Sequence, residues 1–148
     1  MRSASLMLLL LLACAPRDPR DTLAHVRGHT LRAGVAENPP YLVRRGAEAT
    51  GPEAELIRGF ASTLGANVQW VWGSQEVHFR ALHEFHLDLA GGGITDDTPW
   101  KEEVAVTRPF LEASKDDKHV FAVPPGENAF LEQLEIYLAA HRPERWPE

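Results

Sequence analysis

The chain has 148 residues, 44% of them hydrophobic, with four tryptophans and a formal charge of −6. That length fits one domain of ordinary size with a real core, and not two. The acidic balance, with no basic stripe, excludes a nucleic-acid surface, and a single cysteine excludes an internal disulfide.

Residues 1–14 are set aside from the fold. Arg2 gives a positive start, Leu6 to Leu12 an apolar run too short to span a bilayer, and Leu11-Leu12-Ala13-Cys14 closes it. This reads as an export signal, either cut at an ordinary site near Ala13 or Ala15 or ending at Cys14. Residues 15–29 are polar, hold Pro16 and Pro19, and read as a flexible tether.

Leu31, Ala33 and Val35 alternate with Arg32 and Gly34, which predicts a first strand. Pro39 and Pro40 stop it, since proline cannot donate to a sheet ladder. Thr50-Gly51-Pro52 opens a helix with Glu53 and Glu55 at its positive end. Leu56, Ile57, Phe60, Ala61 and Leu64 share one face of it, and Gly65 ends it. Val68 to Trp72 forms a second strand, completing a βαβ unit with parallel strands. A second helix covers 75–86, with Phe79, Leu82 and Phe85 inward, and Leu87 to Ala90 is the third strand.

Thr98-Pro99 begins a short helix through Val104, and Val120 to Val123 is a fourth strand ended by Pro124-Pro125-Gly126. Asn128 caps a last helix whose apolar face is Leu131, Leu134 and Leu138, with Phe130 and Tyr137 beside it. Residues 142–148 are a frayed tail. The expected fold is α/β, a single open sheet of mostly parallel strands flanked by helices, over 30–141. No repeat, low-complexity tract or transmembrane helix is read.

In open α/β sheets, ligands sit beyond the carboxyl ends of strands. The third strand ends there in Gly91-Gly92-Gly93-Ile94-Thr95, where main chain is open to close approach and Thr95 adds a hydroxyl. On these residues alone, the glycines serve equally well to turn the chain. His78, His83 and His86 lie close together, and His83 and His86 share a helical face. Without a partnered carboxylate pattern they read as surface histidines rather than a metal site. Asp96 and Asp97 read as loop and capping residues and Asp88 as a strand-end residue. No Ser/His/Asp order, nucleophile elbow, P-loop or dinucleotide fingerprint occurs, so neither a catalytic site nor a cofactor is expected.

Two resemblances add to this reading. Leu11-Leu12-Ala13-Cys14 resembles the lipobox of bacterial lipoproteins, which implies lipidation of Cys14 and a periplasmic or cell-surface location on a membrane. Residues 31–110 resemble solute-binding protein family 3, the amino-acid-type periplasmic receptors of ABC transporters. The likeness rests on Leu31 to Tyr41 with its Pro-Pro-aromatic ending, and on Gly51 to Leu64 with Glu55 at a usually acidic position. It rests also on Leu82 to Thr95 with a Leu-x5-Asp strand and Gly-x-Thr loop, and on Thr107-Arg108-Pro109-Phe110.

Family members have two lobes, whereas here Phe110 leads through 111–118 directly into His119 to Asn128, which resembles the returning strand. The implied fold is therefore one lobe of a type II periplasmic binding protein. The implied ligand site is Glu37, Tyr41, Gln75, Gly93 and Thr95, with Trp100 standing where the family places a carboxylate-binding arginine. Tyr41 and Trp100 serve equally as aromatics covering a bare sheet edge. The implied function is weak binding of a small polar solute for ABC-type transport, with a permease, or a second chain supplying the missing lobe, as partner. The alternatives are an envelope interaction module binding a protein through the cleft face, and a remnant with no retained binding.

Overall fold

The structure is a computed structural model that describes residues 15–143, 146 and 147. The expected signal segment and Cys14 lie outside the described residues. Strand β1 (Thr30–Val35) is the centre of the fold. It pairs in parallel with β4 (Asn67–Trp72) over its whole length, from Thr30 opposite Asn67 to Val35 opposite Trp72. On its other side it pairs in parallel with β5 (Leu89–Gly91), Val35 facing Gly91. Antiparallel β9 (Ala122–Val123) and then β6 (Ala105–Val106) complete a sheet of order β4-β1-β5-β9-β6. The sheet is mixed but mostly parallel, as expected, with β9 alone running against the rest.

Helix α2 (Pro52–Thr63) connects β1 to β4. Its buried face is Glu53, Ala54, Leu56, Ile57, Phe60 and Ala61, and Gly65 at φ 63° closes its end. Because side chains alternate across a strand, the sheet feeds two apolar layers. One packs Leu31, Ala33, Val35, Leu89, Phe121 and Val123 under α2 and α4 (Asn128–Ala140). The other packs Ala90, Val120 and Ala122 under Phe79 and Leu82 of α3 (Gln75–His83). Asp88 enters β5 with both carboxylate oxygens on Arg32, at 2.6 and 3.1 Å, and accepts the Arg32 backbone N–H at 2.8 Å.

Two hairpins were not foreseen. β2 (Val43–Arg45) with β3 (Glu48–Thr50) lies along the β4 edge. There Glu48 and the Ala47 carbonyl accept the indole N–H groups of Trp70 and Trp72, each at 3.0 Å. β7 (Leu111–Ser114) with β8 (Asp117–His119) occupies the short stretch after Phe110.

Several expectations need correction. Residues 98–104 form turns rather than a helix: Glu103 and Val104 both donate to the Trp100 carbonyl, at 2.8 and 3.1 Å. His78 is not a surface histidine but is 1% exposed. Its ring fills the room left by Gly34, where a Cβ would lie 2.8 Å away, and neither ring nitrogen finds a partner among the described residues.

The stretch read as a tether carries α1 (Thr22–Val26), with Val26 buried. Asn128 does not cap α4 either. The residue at that position is Glu127, which instead accepts the Arg20 and Thr22 N–H groups at 2.9 and 3.0 Å. The cap comes from Asp18, whose Oδ1 accepts Ala129 and Phe130 N–H at 2.7 and 3.0 Å. Trp146, placed in the frayed tail, packs against Phe110 and Tyr41 at ring separations of 5.9 and 6.3 Å.

Asp18 thus holds the amino-terminal segment onto the fold by satisfying orphan helix donors. We predict that Asp18→Ala lowers stability by about 1–2 kcal/mol, read as a lower urea midpoint. An unchanged midpoint would return 15–29 to the status of a tether.

Candidate functional site

The site is built where β1 and β5 end side by side. Beyond Val35 and Gly91 the chain forms two abutting turns, 36–41 and 92–95. They fit only because of two glycines. A Cβ on Gly92 (φ 102°) would lie 2.0 Å from the Ala36 carbonyl oxygen, and one on Gly93 (φ 75°) 2.7 Å from the Asn38 amide. Gln75, at the start of α3, donates its amide to the carbonyls of Gly92 and Gly93 at 3.2 and 3.1 Å. Thr95 is half-buried, donates its hydroxyl to Asp97 at 2.5 Å, and pairs by a backbone bridge with His119. Tyr41 stands edge-on to the His119 ring at 4.8 Å.

Gln75, Gly93, Thr95 and Tyr41 therefore gather around one shelf, with Asn38 and with Asp97, expected only as a loop and capping residue, as further neighbours. Gln75 acts from behind, spending its amide on the loop. Glu37 sits at the exposed rim and accepts the Arg44 backbone N–H at 3.2 Å. Trp100 is half-buried, with its ring 5.8 Å from that of Phe79, an apolar contact on α3.

Beneath the shelf lies a charged cluster whose members are far apart in sequence. Glu53 and His119 are 1% and 2% exposed. Glu53 Oε2 accepts the Gly92 N–H at 2.8 Å, and Oε1 lies 2.8 Å from His119 Nδ1. His119 Nε2 lies 3.0 Å from Asp117 Oδ1, at the half-exposed end of the cluster. Carboxylate oxygens only accept, so the Glu53 contact takes its proton from Nδ1, and Asp117 meets the other nitrogen as an ion pair when the imidazole carries both protons. The hydrogen bond to Glu53 raises the His119 pKa above its ordinary 6.5, against the effect of burial.

The acidic position singled out by resemblance, Glu55, is instead at the surface beside Arg58 at 2.8 Å. One signal could have pointed to Glu53. It precedes Ile57 by four residues and Phe60 by seven, on the apolar stripe of the helix.

Neither a family model nor a curated protein matches the sequence. Solved structures do match the fold. The arginine-bound form of domain 1 from TmArgBP is 21% identical with a TM-score of 0.68, covering 79% of this chain and 96% of that one. The ancestral cationic amino acid solute-binding protein AncCDT-1, also described as a precursor of cyclohexadienyl dehydratase, is 15% identical with a TM-score of 0.69. That match covers 80% of this chain and 93% of that one. An ancestral arginine-binding protein bound to arginine is 27% identical with a TM-score of 0.52, covering 60% of this chain but 39% of that one. The fold is that of a single lobe of the amino-acid-binding solute-binding proteins. Among the described residues no helix is long and apolar enough to cross a membrane.

The two buried histidines act oppositely on stability. His119 is raised above 6.5, so its contribution is complete below 6.5 and is lost as pH rises through the folded value. His78, held below 6.5 by burial, withholds a proton that the unfolded chain accepts, so stability falls as pH drops below 6.5. We predict a stability maximum near 6.5 in urea titrations, and that His119→Gln removes the decline on its alkaline side. A decline retained in that variant would contradict the assignment.

Proposed function

We propose that the chain is an extracytoplasmic lobe that binds a small polar solute on the shelf formed by Tyr41, Gly93 and Thr95, in connection with ABC-type transport. The observation that carries this reading is the likeness to domain 1 of TmArgBP. That is a lone domain of the same fold, spanned over 96% of its length, whose structure is arginine-bound. Another match, from Wolinella succinogenes and described as a binding component of an ABC transporter on no more than its name, is complexed with lysine. An amino-acid-like solute is therefore the leading class. Tyr41 walls it, Thr95 and the Gly93 main chain bond it, and Glu37 at the rim receives an amine. The indole of Trp100 offers no charge to a carboxylate, and an open shelf leaves one side of the solute wet. Both features make binding weak. Export and lipidation at Cys14 hold the domain at the membrane, where a permease or a second chain meets the cleft face.

Isothermal titration of the purified chain with arginine, lysine and a panel of other amino acids tests this. We expect dissociation constants above about 1 μM, with Thr95→Ala and Tyr41→Ala each weakening binding by roughly tenfold, or about 1.4 kcal/mol. Submicromolar binding by a monomer would refute the weak-lobe reading. No binding to any solute, together with a co-purifying protein, would favour an interaction module.

A further inference from the structure

We propose that His119 is a positioning residue that fixes the solute shelf in a proton-dependent way, through its bridge between Glu53 and Asp117; the proposal rests on the shelf being the ligand site. The geometry runs through three segments. Glu53, in the first turn of α2, holds the Gly92 N–H with one carboxylate oxygen and His119 with the other. His119 ends β8, and β8 is in turn stitched to the shelf. Thr95 bridges to His119, Asp96 N donates to the Lys118 carbonyl at 3.0 Å, and Val120 N donates to the Ile94 carbonyl at 2.9 Å. The ring therefore ties the first turn of α2, the glycine loop and the β7–β8 hairpin into one unit.

Among the described residues, three groups face the ring. They are Glu53 from α2, Asp117 from β8 and the edge of Tyr41 from the turn after β1. With both nitrogens protonated, each carboxylate meets a donor. When one proton leaves, a single N–H remains for two carboxylates. A neutral ring that keeps one N–H on Glu53 no longer carries the charge that compensates that buried carboxylate, and the clamp between α2 and β8 weakens. Since β8 meets residues 94–96 through the Thr95–His119 bridge and the Asp96 N–H to Lys118 carbonyl bond, that weakening reaches Thr95. The short hairpin stands where the resemblance places the crossing to a second lobe, so a contact that fixes it also fixes the rim of the cleft.

The test is an amide NMR titration of the full chain without any added solute, following Gly92 and Thr95 through the range in which histidine ionises. In the unmodified chain both amides are expected to follow one step, coincident with the His119 ring protons. Asp117→Asn, at a half-exposed carboxylate where misfolding is least at issue, is expected to move that step to lower pH, because one of the two charges favouring the imidazolium is gone. His119→Gln is expected to abolish it. A merely structural role would leave the midpoint unmoved by Asp117→Asn. The proposal is overturned if the two amides stay flat while the ring titrates, or if the step keeps its midpoint in Asp117→Asn. Because no solute is present, failure here is distinct from failure of solute to bind.

Discussion

The carboxylate of Glu53 is the group on which the arrangement depends. A buried charge is tolerated only when it is paired and its lone pairs are satisfied. Here one oxygen is satisfied by the Gly92 amide and the other by His119. The backbone N–H of the same residue donates to the Tyr41 carbonyl at 3.0 Å. One residue at the start of α2 thereby fastens the turn after β1, the glycine loop after β5 and the end of β8. Removing one partner of such a buried pair typically costs about 3–5 kcal/mol, comparable to much of the stability of a small domain. The shelf is therefore held by polar contacts under it, while the apolar layers on either side of the sheet hold the strands that deliver it.

This construction braces the shelf from within one lobe. In a two-lobed receptor the cleft loops are also braced by the opposing lobe when it closes. Here the bracing comes from within. Gln75 holds the Gly92 and Gly93 carbonyls from α3, the β7–β8 hairpin pairs with residues 94–96, and Trp146 folds back onto Phe110 and Tyr41. The amino-terminal segment is fastened at the other end of α4 by Asp18 and Glu127.

Much of the fold was legible because its signals are local. The β1–α2–β4 unit shows as alternation, an apolar stripe, a Pro start and a Gly stop within one stretch of chain, and the glycine loop shows as composition. The elements that were missed have short or distant causes. β2, β3, β7 and β8 are three or four residues long, below the length at which period-two patterning registers. The turn at 98–104 has a helical start in Thr98-Pro99, yet the chain folds so that Trp100 packs on Phe79. At the site, Gly93, Thr95, Gln75 and Tyr41 followed from resemblance and were brought together. The Glu53–His119 contact spans 66 positions and leaves no trace in spacing. Glu53 and Glu55 differ in which helical face they occupy, and only the neighbours at Ile57 and Phe60 distinguish them.

The central claim is that a single lobe of this fold keeps a usable solute shelf at the carboxyl ends of β1 and β5. The most direct measurement is an amide chemical-shift map of the chain as arginine is added to saturation. The account predicts that the perturbed amides cluster in 37–41, 92–97 and 117–119. Perturbation centred elsewhere, such as the β4 edge around Trp70 and Trp72, would contradict it.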